Sequence, residues 1–164
     1  MKRFILISTI GLVLLFVYLF VWNTVDSNTA EATSLQVNNA ELAPMPQFSP
    51  REVVDMQLKA MQENNEPYKD HGIEVAYRFA SPSNKEATGP LSRFVHMVHN
   101  ERYRSLLNFQ RYGLDDAEVL GDKALQKATL IDADGEPVVY VFQLARQQEG
   151  EFYGCWMTEG VIRL

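Results

Sequence analysis

The chain has 164 residues, a formal charge of -6 and an ordinary share of apolar and charged side chains. That composition excludes a fibrous or wholly disordered chain and leaves room for one domain with an appendage. The acidic balance argues against non-specific nucleic-acid binding, which needs a basic surface.

The first element is the charge-free run FILISTIGLVLLFVYLFVW, residues 4–22. As a helix it would span about 28 Å, close to the hydrocarbon thickness of a bilayer. Lys2 and Arg3 precede it, and Asp26 and Glu31 follow. The positive-inside rule then keeps the N-terminus in the cytoplasm and sends the rest across. Tyr18 and Trp22 fall near the far end, where amphipathic rings favour the interface. The rival is a cleaved signal peptide, with Ala30-Glu31-Ala32 as a small-residue site. Its apolar core should be shorter than this run. Either way the expectation is an extracytoplasmic body, periplasmic or on the lumenal side of a thylakoid. Residues 1–24 are read as a membrane anchor. Residues 25–48, polar and then proline-spaced, are read as a tether, and 49–164 as a globular domain.

The domain opens on SPREVVDMQLKAMQENN. Ser49, Pro50 and Glu52 make an S-x-x-E capping box with proline at the first helical position. Val54, Leu58 and Met61 recur at helical spacing, so a helix is expected over 50–64. A second is expected over 71–80, with Ile73, Ala76, Tyr77 and Ala80 on one face and Asp70 as cap. Ser81-Pro82 and Gly89-Pro90 read as breaks, and a third helix over 90–100 carries Leu91, Phe94, Val95 and Val98.

Beyond Tyr103 the period drops to two. A weak strand is expected over 106–113, then strands over 126–132, 137–148 and 151–164. Asp134-Gly135 and Glu149-Gly150 supply the turns between them. Helices first and an antiparallel meander after give an α+β class, three helices laid on a curled sheet.

Two stretches, YRFASPSNKEATGPLSRFVHMV (77–98) and LIDADGEPVVYVFQLARQQEGEFYGCWM (130–157), together resemble domain of unknown function 4864. The resemblance rests on the phenylalanine-alanine-serine-proline turn, the phenylalanine shortly before a methionine-valine pair, and the hairpin ending in glycine-cysteine. It covers most of residues 50–160. The segment NNEPYKDHGIEVAYRFA looks closest to cyanobacterial and plant plastid members. The resemblance implies a cystatin-like cone of the nuclear-transport-factor-two and ketosteroid-isomerase type. It also hints at a role on energy-transducing membranes, and it brings no activity with it.

A cone holds a pocket between sheet and helices, so the candidate chemistry is sought there. His71, flanked by Asp70 and Glu74, is the candidate proton-transfer group, since imidazole titrates near neutral pH. The alternative for this stretch is a helix start, with Asp70 as cap and Glu74 in the first turn. His96 and His99 share one side of a helix, but a metal would need a third ligand. No metal site is expected. Cys155, the single cysteine, excludes an internal disulfide and reads as a small buried side chain. No glycine-rich phosphate loop or serine elbow is present, and no cofactor is expected.

Tyr77, Arg78, Tyr140 and Trp156 are candidates for lining the pocket mouth. The bases Arg78, Lys85, Arg93, Arg102, Arg104 and Arg111 face only Glu86 and Glu101 between residues 78 and 111. That contrast would suit an anionic ligand or head group. The favoured reading is a non-catalytic, membrane-anchored module that holds a small apolar or anionic ligand, or a protein partner such as a second copy. The alternatives are an isomerase or dehydratase using His71 as base and Tyr77 to polarise a carbonyl, and an accessory subunit of a membrane complex.

Overall fold

The computed structural model describes residues 42–164. The expected membrane run at 4–22 and most of the tether lie outside them. Among the described residues no helix is long and apolar enough to cross a membrane. Residues 42–48 fall within the expected tether and lie on the body. Leu42 is buried, and Phe48 packs against the core.

Helix α1 spans Pro50–Gln62 and starts as its sequence dictates. Ser49 Oγ accepts from the Glu52 amide at 3.3 Å, and the Glu52 carboxylate accepts from the Ser49 amide at 2.8 Å. The bond from the Ser49 amide is the main cause that holds the Glu52 carboxyl below its ordinary value. The face carrying Val53, Val54, Gln57, Leu58, Ala60 and Met61 is buried.

Helix α2 spans His71–Phe79. Asp70 does not cap it: the residue sits at φ 64 and makes no capping bond. Asn64 takes that part instead. Its Oδ1 accepts from the Ile73 amide at 3.1 Å, and its main-chain oxygen accepts from the Gly72 amide at 3.0 Å. Helix α2 crosses α1 closely at Gly72, where a Cβ would meet the backbone of Ala60 and Met61.

The chain then forms a helix where a break was expected. Helix α3 spans Pro82–Thr88, so among the described residues four α-helices, not three, precede the sheet. Ser81-Pro82 ends α2 and starts α3 at once. Ser81 Oγ accepts from the Asn84 amide at 3.1 Å, and Pro82 supplies the fixed φ of a first helical position. Helix α4 spans Leu91–Val98 and buries Phe94 and Val98.

The sheet is antiparallel throughout, in the order β1-β3-β4-β5 with β2 also on β3. β1 is Arg111–Leu114, β2 Glu118–Leu120, β3 Lys123–Ile131, β4 Pro137–Arg146 and β5 Trp156–Arg163. The alternation in β3 and β4 puts Ala124, Ala128, Leu130, Val138, Tyr140, Phe142 and Leu144 into the core with the helices.

Two expectations in this half are corrected, and one strand is added. The strand expected from 106 begins at Arg111, because Arg104–Leu106 form a 3-10 turn that plugs Leu106, Leu107 and Phe109 into the core. The strand expected from 151 begins at Trp156, because Gly150 and Gly154 take positive φ in a turn that precedes it. Strand β2 was not expected. Cys155 is buried just before β5, and burial pushes its thiol up.

β5 carries a bulge that positions the site. Gln143 pairs with Gly160 and Leu144 with Thr158, so Glu159 is an extra residue on the edge strand.

Candidate functional site

A cleft of about 290 Å³ opens where β5 meets the four helices. Its walls are mainly apolar. Met61 comes from α1, Ala76 from α2, Phe94 and Met97 from α4, Phe142 from β4 and Val161 from β5.

The polar groups at the floor are already engaged with the protein. Gln57 Nε2 donates to Thr158 Oγ1 at 2.9 Å and to the Val53 carbonyl at 3.0 Å. Asn84 Nδ2 donates to the Thr158 carbonyl at 3.0 Å. The wall carboxylate Glu159 accepts from Ser83 Oγ at 2.6 Å and Gln147 Nε2 at 3.4 Å. Such a site can receive an apolar body by excluding water. It offers no unengaged acid–base pair at its floor.

The residues singled out by sequence lie elsewhere. His71 is buried beneath the Tyr68 ring, with centroids 4.7 Å apart, and neither ring nitrogen has a hydrogen-bond partner. It is not among the residues lining the cleft. The expected orienting bonds from Asp70 and Glu74 are not made either. Asp70 accepts from Asn64 at 3.1 Å and meets His99 Nε2 at 2.8 Å. Burial works to raise the Asp70 carboxyl, but the bonds to His99 and Asn64 outweigh it and hold it below the ordinary value. Glu74 accepts from Tyr68 Oη at 2.8 Å and Arg78 at 3.2 Å. The Tyr68 bond leads the causes that hold its carboxyl low.

Tyr77 is half-buried; its hydroxyl donates to the Gly89 carbonyl at 3.2 Å and its ring lies 5.2 Å from that of Phe94. Arg78 donates to the Leu42 carbonyl at 3.3 Å. Tyr140 is fully buried and donates to the Arg102 carbonyl at 2.8 Å; burial raises its pKa. Trp156 belongs to the core. None of these four lines the cleft. His96 is exposed, and no group of three or more metal-ligating side chains occurs among the described residues.

The basic stretch does not converge on the cleft. Lys85 Nζ stands 5.3 Å from the Tyr77 ring and 5.4 Å from that of Phe152, and donates to the Arg78 carbonyl at 3.2 Å. Burial lowers its pKa.

The site residues that sequence reasoning missed are Gln57, Thr158 and Glu159. Gln57 left a signal, as a polar side chain within the apolar stripe of α1. Thr158 left none, because the bulge after it breaks the alternation.

A family model described as a domain of unknown function (DUF4864) matches residues 46–163. No curated protein and no solved structure matches the chain.

Proposed function

The chain belongs to the DUF4864 family, and from that premise we propose that it is a membrane-anchored, extracytoplasmic binding module. The cleft beside β5 takes a small apolar ligand, or an apolar side chain of a partner, and holds it without turning it over. The observation that carries this reading is the cleft itself. It pairs apolar walls with floor amides, Gln57 and Asn84, that already bond to Thr158. Its volume lies near the lower end of the range for small-molecule pockets, about 300–1,000 Å³.

The charge-free run at 4–22 behind Lys2 and Arg3 supports the anchor and the outward placement of the body. Four helices against one antiparallel sheet, with a cleft between the layers, support a cystatin-like cone. An isomerase or dehydratase would need a base at the cleft. His71 lies away from its walls, and Glu159 is engaged by Ser83 and Gln147.

The test uses the methionines. Met61 and Met97 line the cleft, whereas Met45 is exposed and Met157 is buried outside it. Full-length chain in detergent, labelled with carbon-13 at the methionine methyls, is titrated with 2-naphthol as a neutral apolar probe. Saturable shifts at Met61 and Met97, absent at Met45 and Met157 and abolished by Ala87→Trp at the exposed rim, are expected. Shifts spread over all methionines, or unchanged by Ala87→Trp, would overturn the reading.

A further inference from the structure

β5 is the last strand in the order of the sheet, and one of its edges carries no further strand. Part of that edge is closed by other means. The Thr158 carbonyl accepts from the Ser81 amide at 2.9 Å and from Asn84 Nδ2 at 3.0 Å, so the junction of α2 and α3 covers it there. Past the bulge the cover ends. Trp156, Met157 and Thr158 are buried, whereas Ile162 and Arg163 are exposed. An open edge is a template for another strand, and proline is a common way to blunt it. No proline occurs from Trp156 to Leu164.

The register shows which main-chain groups are open. The Leu164 amide donates to the Val139 carbonyl at 3.0 Å. In an antiparallel ladder, bonded pairs alternate with unbonded ones. Ile162, opposite Val141, and Gly160, opposite Gln143, therefore bond to β4, while Val161 and Arg163 turn their amides and carbonyls outward. Tyr103 Oη donates to the Val161 carbonyl at 3.4 Å, which leaves that oxygen a second lone pair. Gly160, Ile162 and Leu164 share the face of the sheet away from the helices. Ile162 is 46% exposed and Leu164 74%, and beside them on β4 lie the half-buried Val139 and Val141.

We propose that this edge is a self-association site, where two copies of the chain pair their β5 strands antiparallel about a two-fold axis at Ile162. In that register the strand is complementary to itself. Val161 meets the second copy's Arg163, and Arg163 meets the second copy's Val161, so every outward amide and carbonyl of the two residues is bonded. Ile162 stands opposite the second copy's Ile162, with Cα atoms about 4.5 Å apart as in a non-hydrogen-bonded pair. Leu164 lies over the second copy's Gly160, which has no side chain to obstruct it. Charge selects the same direction. Antiparallel pairing brings Arg163 toward the second copy's Glu159, whereas parallel pairing would set like charges side by side. Such a two-fold contact closes on itself and adds no third copy. It needs neither the anchor nor a ligand in the cleft.

The experiment uses the full chain in detergent. Cys155 is buried, so a cysteine introduced on the surface is the reactive one. The expected Cα separation at Ile162 lies within the span of about 4.4–6.8 Å that a disulfide bridges. Under a mild oxidant, Ile162→Cys should link two chains, and Asp134→Cys, exposed in the β3–β4 turn, should not. In sedimentation equilibrium with density-matched detergent, the parent should be a dimer. Ile162→Lys sets two ammonium groups opposite each other and should be a monomer. Leu125→Lys, exposed on the same face two strands away, should remain a dimer. A monomeric parent, a dimeric Ile162→Lys, or linkage no faster at 162 than at 134 would overturn the pairing. A monomeric Leu125→Lys would move the contact to the face of the sheet and overturn it as well.

Discussion

Gln57 on α1 and Thr158 on β5 join helix layer to sheet at the floor of the cleft, Nε2 to Oγ1 at 2.9 Å across 101 residues of sequence. Both side chains are buried. Thr158→Val keeps the shape and leaves the Gln57 amide one partner short. It should cost about 1–3 kcal/mol, read from urea denaturation of the chain in detergent. Adding Gln57→Leu should recover most of the loss, since replacing both partners by apolar groups is nearly neutral. A double variant as unstable as the sum of the singles would show that the pair does not couple.

Gly72 fixes how close α2 lies to α1. A Cβ there would stand 2.9 Å from Met61 Cα and closer still to the Ala60 carbonyl. Backbone on both sides cannot swing away as a flexible side chain would. Gly72→Ala should therefore destabilise by about 1–3 kcal/mol or more through overpacking, although alanine is the better helix former by about 1 kcal/mol. A stabilising effect in the same denaturation measurement would mean the two helices slide apart freely at this crossing.

These two contacts also mark how far the sequence could be read. The α1 cap was legible because all its parts, Ser49, Pro50 and Glu52, are adjacent in the chain. The α2 cap was not, because Asn64 reaches it from nine positions upstream of Ile73. Ser81-Pro82 carries two messages, a stop and a start, and only the stop was taken. β2 has three residues, too few to show a period; the cue was Gly121-Asp122, a two-residue hairpin turn. The meander of β3 and β4 was plain from alternation. The cleft depends on the register of β5 past its bulge and on α4 lying beside it, and neither is a local property of the chain.

Asp70 gives the fold a stability term that disappears in acid. Burial pulls its carboxyl upward, the bonds to His99 and Asn64 pull it further down, and the net is a folded pKa below the unfolded one. The folded chain then binds fewer protons than the unfolded chain. The contribution is full above the unfolded value of about 4 and fades as pH falls through the lower, folded value. Asparagine tolerates the left-handed backbone that Asp70 adopts at φ 64, so Asp70→Asn adds little strain. The variant should be less stable than the parent at pH 7, and the gap should narrow once pH drops below about 4. A gap of constant size across a urea series from neutral to acid would remove the ionic part of the argument.

The proposed anchor makes a prediction about orientation that involves charge alone. Lys2 and Arg3 stand before the apolar run, and Asn23 and Thr24 follow it. Orientation follows the bias of lysine and arginine close to the ends of a span, and acidic residues contribute little. Lys2→Gln and Arg3→Gln together with Asn23→Lys and Thr24→Lys reverse that bias without touching the apolar run or the body. In right-side-out vesicles, external protease should digest the body of the parent chain. The body of the fourfold variant should survive until the vesicles are permeabilised. A parent body that resists protease in sealed vesicles would place it on the cytoplasmic side, and the extracytoplasmic setting proposed for the cleft would fall.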